Sequence, residues 1–259
     1  MIKSLKNILL LSLFTVVLFG CRKPEEPVVQ PPATTNEMHF MFENYFGNEE
    51  IVLNTGNYTN LQGEDLTITK FNYWITNIIF VKEDGTEYAE PESYRVLKGD
   101  KHSSLHFHVA NVPAGTYKSI KFMVGVDVPR NTSGAQTGAL DPNVNGDMYW
   151  TWSTGYIQVK IEGTSSKSTE TGNAYRYHIG GVAAGTETPR QVTLDLPNTV
   201  TIGDKAGSFK IKTDAAKFFG PTNPVSIATT PSLMAPGAMA AKIADNYKHM
   251  FSVTSATNE

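Results

Sequence analysis

From Met38 onward, apolar and polar residues alternate with a period of two along most of the chain. Turn residues break the alternation about every ten positions, the spacing of short strands. The runs are rich in β-branched and aromatic residues, which suit a pleated, half-buried surface. This pattern predicts strands at His39–Tyr45, Leu66–Val81, Tyr94–Leu97, Leu105–Val109, Tyr117–Val126, Tyr156–Glu162, Tyr175–Ile179, Gln191–Leu196 and Phe209–Thr213. Turns fall at Asp84-Gly85, Val112-Pro113-Ala114-Gly115-Thr116, Gly163–Gly172 and Leu196-Pro197-Asn198. Strands so punctuated predict an all-β domain, a two-sheet antiparallel β-sandwich whose inner faces bury alternate residues. The exception is near the end, where Leu233, Met234, Met239, Ala240, Ile243, Ala244, Tyr247 and Met250 recur at helical spacing. A short C-terminal helix packed on the sandwich is expected there, with Ser232 as its cap and an interruption at Pro236-Gly237. Its methionines are expected to fill gaps in the core rather than to serve as metal-binding thioethers. Lys217-Phe218-Phe219 reads as a helix or turn that stops at Gly220-Pro221.

The segment before Met38 has a different character. A short basic start, Met1-Ile2-Lys3-Ser4-Leu5-Lys6-Asn7, leads into an almost wholly apolar run from Ile8 to Phe19 and then Gly20-Cys21. This layout is that of a secretory signal, too short for a mature membrane span. Leu18-Phe19-Gly20-Cys21 resembles a bacterial lipobox, so residues 1–20 are expected to be removed and Cys21 to carry a lipid anchoring the protein to a membrane. Residues 21–36 hold four prolines and no periodicity, the composition of an extended tether. The domain then spans residues 37–259. The expected location is the bacterial cell envelope, at the outer membrane on its periplasmic or surface face. Cys21 is the only cysteine, which excludes an internal disulfide and a cysteine-rich metal site.

The formal net charge is -3, and Lys and Arg are scattered. That distribution lacks the basic patch of a nucleic-acid binder. The chain has no Gly-x-Ser-x-Gly elbow, no His-Glu-x-x-His and no phosphate-binding glycine loop, so an enzyme is not expected. Two stretches carry candidate ligand chemistry. His106-Phe107-His108 lies in an alternating strand and sends both imidazoles to one face, where they could hold copper or zinc or form a solvated polar face. Asp141-x-Asn143-x-Asn145-Gly146 spaces oxygen donors as calcium loops do, but it lacks the flanking helices and closing Glu, and an Asx-rich turn is the plainer reading.

The third stretch, Gly138 to Gly163, runs from a polar turn through Met148-Tyr149-Trp150-Thr151-Trp152-Ser153-Thr154-Gly155-Tyr156 into a strand. Together with Gly125-Val126-Asp127, Asn131-Thr132-Ser133-Gly134, Gly138-Ala139-Leu140-Asp141-Pro142, Lys160-x-Glu162-Gly163 and Tyr177-His178-Ile179-Gly180-Gly181, it resembles the MbnP-like family of exported copper-binding proteins, in its Bacteroidota lipoprotein branch. The resemblance covers nearly all of the domain. It implies a β-rich envelope protein that binds copper for acquisition, storage or handover. It also implies a tryptophan oxidised to kynurenine, usually by a partner dihaem peroxidase-like protein, which exchanges an indole for an aromatic amine and a ketone able to join imidazoles at the metal. Carried onto this chain, Trp150 or Trp152 is the modified residue and His178 the first imidazole. Some relatives have a histidine where this chain has Thr132, so His106 or His108 becomes the candidate for a further ligand. The alternative from another class is a surface glycan-binding or adhesion module, with aromatics stacked on sugar and calcium in the Asp141 loop.

Overall fold

The computed structural model describes Asn36–Glu259 except Ala135, Ser153 and Thr154. The expected signal segment, the expected lipidation site Cys21 and the tether up to residue 35 lie outside the described residues. The Asp65–Lys82 strand organises the larger sheet. Its first half pairs antiparallel with Gly155–Thr164, its second half with Gly115–Val124. Beyond these lie Arg190–Ile202 on one side and Ala174–Gly180 on the other. Every residue from Phe71 to Thr76 is buried. A strand covered on both faces needs continuous apolar content, and Phe71-Asn72-Tyr73-Trp74-Ile75-Thr76 largely supplies it.

The smaller sheet is ordered Phe251–Asn258, Gly207–Asp214, Met38–Phe46, with Glu49–Glu50 and His106–Val109 also paired to Met38–Phe46. Strict alternation in that strand buries Met38, Phe40, Phe42, Asn44 and Phe46. Their rings meet residues of the larger sheet: Phe40 lies 5.9 Å from Phe80, and Phe42 lies 6.3 Å from Phe122 and 6.4 Å from Tyr73. Tilted and edge-on contacts of this kind suit the aromatic quadrupole. A mainly-β sandwich with a short helix is therefore the fold, as the alternation predicts.

Four local expectations are corrected. Both sheets are mixed rather than purely antiparallel, because Met38–Phe46 runs parallel to Gly207–Asp214 and Ala174–Gly180 parallel to Ser232–Leu233. Ser232 is consequently a strand residue and caps no helix. The helix is Ala238–Tyr247, starting just after Pro236-Gly237, with Gly237 at the cap and no side-chain cap bond. Met250 is fully buried and Met239 packs against the core, whereas Met234 is 42% exposed and fills no gap. Leu196-Pro197-Asn198 does not end a strand. It lies inside Arg190–Ile202 at a shift of register against Gly115–Val124, where the missing proline N–H is tolerated. The closing strand Phe251–Asn258 has only Phe251, Val253 and Ala256 as apolar residues, too few to signal a strand by periodicity.

One buried carboxylate ties the start of the Asp65–Lys82 strand to a distant turn. Glu64 accepts hydrogen bonds from Asn60 Nδ2 (2.7 Å), Ser226 Oγ (2.8 Å), Ile227 N (2.8 Å) and Ala228 N (2.9 Å). Burial alone would raise its pKa, but these donors outweigh burial and leave it below the ordinary 4.5. A carboxyl depressed in the folded state stabilises above its unfolded pKa, and that contribution is lost as pH falls through the folded value. Glu64→Ala is expected to cost about 2–4 kcal/mol in urea unfolding, since it leaves several buried donors unpaired. Glu64→Gln is expected to flatten the acid limb of stability below about pH 5, and an unchanged acid limb would contradict this assignment.

Candidate metal centre

The alternation that buries Phe40 and Phe42 turns His39, Met41 and Glu43 to the opposite face of the smaller sheet, with Glu37 just before them. Antiparallel pairing with His106–Val109 sets His39 opposite His108 and Met41 opposite His106. The His39 and His108 rings stack, with centroids 4.1 Å apart and planes 16° from parallel. Glu37 Oε2 lies 3.4 Å from His39 Nε2 and 3.8 Å from His108 Nδ1. One ligand atom from each of Glu37, His39 and His108 falls within 4.8 Å of the others. Glu259 Oε2 approaches His39 Nδ1 at 3.1 Å from the other side. Bonds of about 2 Å in a tetrahedral centre separate ligand atoms by roughly 3.3 Å, so modest side-chain rotation suffices to close these donors on one ion. Two imidazoles and a carboxylate suit copper or zinc.

Further along the same face, His102 and His106 have ring centroids 4.6 Å apart. Burial, and then the neighbouring His102, push the His106 imidazole below its ordinary pKa, while Glu43 draws it partly back. Phe107 points the other way and stacks on Phe40 at 4.9 Å, as the alternation of Leu105–Val109 requires.

The two tryptophans form a separate place. Trp150 belongs to a second hydrophobic cluster with Trp74, Val126, Leu140, Met148, Tyr156 and Ile157, and only 5% of it is exposed. Trp152 lies 5.2 Å from Trp150 and is 64% exposed. Trp150 seats against Gly180, where an added Cβ would lie 2.7 Å from Tyr156 O and 2.8 Å from the indole. A cavity of about 620 Å³ beside it is lined by Asn131, Thr132, Tyr149, Trp150 and Pro236 among others.

His178 faces away from the core on the Ala174–Gly180 strand, opposite Lys160, and its Nε2 sits 2.6 Å from Glu162 Oε1. That bond, opposed by burial, holds the Glu162 carboxyl below its ordinary pKa. Among the described residues, neither indole makes a ring contact with His178.

The Asp141 loop is an Asx turn. Asp141 Oδ1 accepts from Asn143 N (2.8 Å) and Asn143 Nδ2 (2.9 Å) and caps the Pro142–Asn145 helix. Asn145 Nδ2 donates to Ala139 O, and the Asp147 carboxylate pairs with Lys98 at 2.7 Å. Of the oxygens expected to bind calcium, Asp141 Oδ1 is thus engaged by local hydrogen bonds and the Asp147 carboxylate by an ion pair.

Of the sequence candidates, His108 joins Glu37 and His39, His106 meets His102, and His178 pairs with Glu162. Glu37, His39 and His102 were not legible as ligands from spacing. The alternation of Glu37 to Glu43 does place Glu37 and His39 on one face, but their partner strand is about seventy residues away, beyond any local pattern.

The chain is thus a mainly-β sandwich bearing a candidate metal centre on its smaller sheet. A family model described as MbnP matches residues 35–235, and the chain belongs to that family. Its fold is similar to that of a solved structure, "MbnP from Methylosinus trichosporium", with a TM-score of 0.53 at 14% identity, covering 75% of this chain and 80% of that chain. No curated protein matches.

Gly180→Ala is expected to displace Trp150, because the new Cβ meets backbone as well as the ring. A cost of about 1–3 kcal/mol is typical of such overpacking. Near-ultraviolet circular dichroism and tryptophan fluorescence check this, and unchanged spectra with unchanged stability would contradict it.

Proposed function

We propose that this protein binds copper in the bacterial cell envelope, held to the membrane by a lipid on Cys21, and serves copper acquisition, storage or handover rather than catalysis. The observation that carries this reading is the convergence of Glu37, His39 and His108, two imidazoles and a carboxylate at an accessible sheet face. Membership of the MbnP family supports copper as the metal. Trp152, exposed beside Trp150, is the indole that a dihaem peroxidase-like partner can reach for oxidation to kynurenine, whereas Trp150 is shielded. His178 and Thr132 are not needed as ligands in this reading.

A glycan-binding role is the second reading, and the exposure of Trp152 is the observation that favours it, since an uncovered indole can stack on a sugar ring. Copper titration separates the two. Wild type is expected to take up Cu(II), and His39→Ala or His108→Ala to weaken that uptake by more than about tenfold, the smallest penalty usual even for losing an outer partner of a metal ligand. Undiminished copper binding in both variants would contradict the assigned centre. Absence of copper binding in wild type, with glycan retention that Trp152→Ala abolishes, would favour the second reading. In protein purified from its native envelope, peptide mass spectrometry is expected to find kynurenine at Trp152 and not at Trp150. Intact indole at both positions would remove the modification from this account.

A further inference from the structure

On the same outer face as Glu37, His39 and His108, one cross-strand pair further along, the structure gathers a different donor set. Met41 lies opposite His106 in the ladder and is only partly buried. His102 reaches the same spot from the His102–Ser104 turn, bringing its ring within 4.6 Å of the His106 ring. That turn is held in place. Ser104 Oγ accepts from Lys98 N at 2.8 Å and donates to Lys101 O at 2.7 Å, and Leu105 N donates to His102 O at 3.0 Å. Met41, His102 and His106 together line a cavity of about 340 Å³, with Glu43 beside them. Among the described residues, no side chain hydrogen-bonds either imidazole. An anchored turn, two uncommitted imidazoles and a thioether around one cavity differ from a merely solvated strand face.

We infer that Met41, His102 and His106 form a second copper subsite, selective for Cu(I), next to the Glu37–His39–His108 centre. The chemistry follows from donor softness. A thioether favours Cu(I), whereas a carboxylate joined to two imidazoles suits Cu(II) or zinc. The two sets occupy alternate rungs of one two-stranded ladder, with the inward Phe40–Phe107 rung between them, so a single face offers a harder and a softer site a few residues apart. This inference rests on the copper reading for the metal's identity in the cell, while the binding itself is tested with the metal alone.

The test uses the full chain with methyl-labelled methionine, titrated anaerobically with Cu(I) and separately with Cu(II). The Met41 methyl resonance, assigned by its disappearance in Met41→Leu, is expected to shift with Cu(I). Competition against a Cu(I) chelator is expected to show a loss of at least about tenfold in Met41→Leu and in His106→Ala, with Cu(II) affinity held within about twofold. Met41→Leu keeps the side-chain volume, so its fold is expected to persist. An unshifted Met41 methyl and unchanged Cu(I) affinity in both variants, with Cu(II) binding intact, would overturn the second subsite alone. A wild-type chain that binds neither Cu(I) nor Cu(II) would overturn this inference together with the copper reading.

Discussion

The alternation of the Met38–Phe46 strand is the constraint on which the rest depends. With a side-chain period of two, burying Phe40 and Phe42 against Phe80, Phe122 and Tyr73 forces His39, Met41 and Glu43 outward. A slip of one residue would bury the polar set and expose the aromatic one, so the core fixes the register. Once that register is fixed, pairing with His106–Val109 leaves no freedom over which side chains meet. His39 faces His108 and Met41 faces His106 because Phe40 faces Phe107. The energy that orders the candidate ligands thus comes from the hydrophobic core on the far side of the same strand, and little has to be supplied by the ligands themselves.

A second packing arrangement is built on the outer face of the larger sheet. Trp74, buried at the middle of the Asp65–Lys82 strand, meets Tyr156 edge-on at 5.6 Å, and Trp150 joins the same cluster. The turn from Gly138 to Met148 closes over it, pinned by the Asp141 cap and by Tyr156 Oη donating to Leu140 O. The aromatic stretch is therefore chiefly a small core of its own, with Trp152 as its one strongly exposed member among the described residues. Glu37, His39 and His108 meet on the smaller sheet, whereas the indoles and the His178–Glu162 pair belong to the larger.

The fold is most legible in the sequence where pattern and burial coincide. Met38–Phe46 is legible because the core imposes the period on its residues, and Asp65–Lys82 because a strand buried on both faces at its middle carries a long β-branched and aromatic run. Phe251–Asn258 was not, since a strand inserted beside Gly207–Asp214 can be stabilised by its neighbours with few apolar residues of its own. The parallel pairings were also hidden, because they depend on which distant strands become neighbours. At the site, the outward pairing of His106 and His108 followed from local spacing. His39 and Glu37 had the same alternation, but only the sheet shows that they meet His108. For the Asp141 loop, the same residues that suggest a calcium loop also favour an Asx cap, and the short Pro142–Asn145 helix decides for the cap.

The most direct test of a copper centre on the smaller sheet is anomalous diffraction at the copper edge from crystals of the lipid-free chain equilibrated with copper. The expected result is a strong anomalous peak bounded by Glu37, His39 and His108. A principal copper peak beside Trp152 or between His178 and Glu162, with none at His39 and His108, would contradict it.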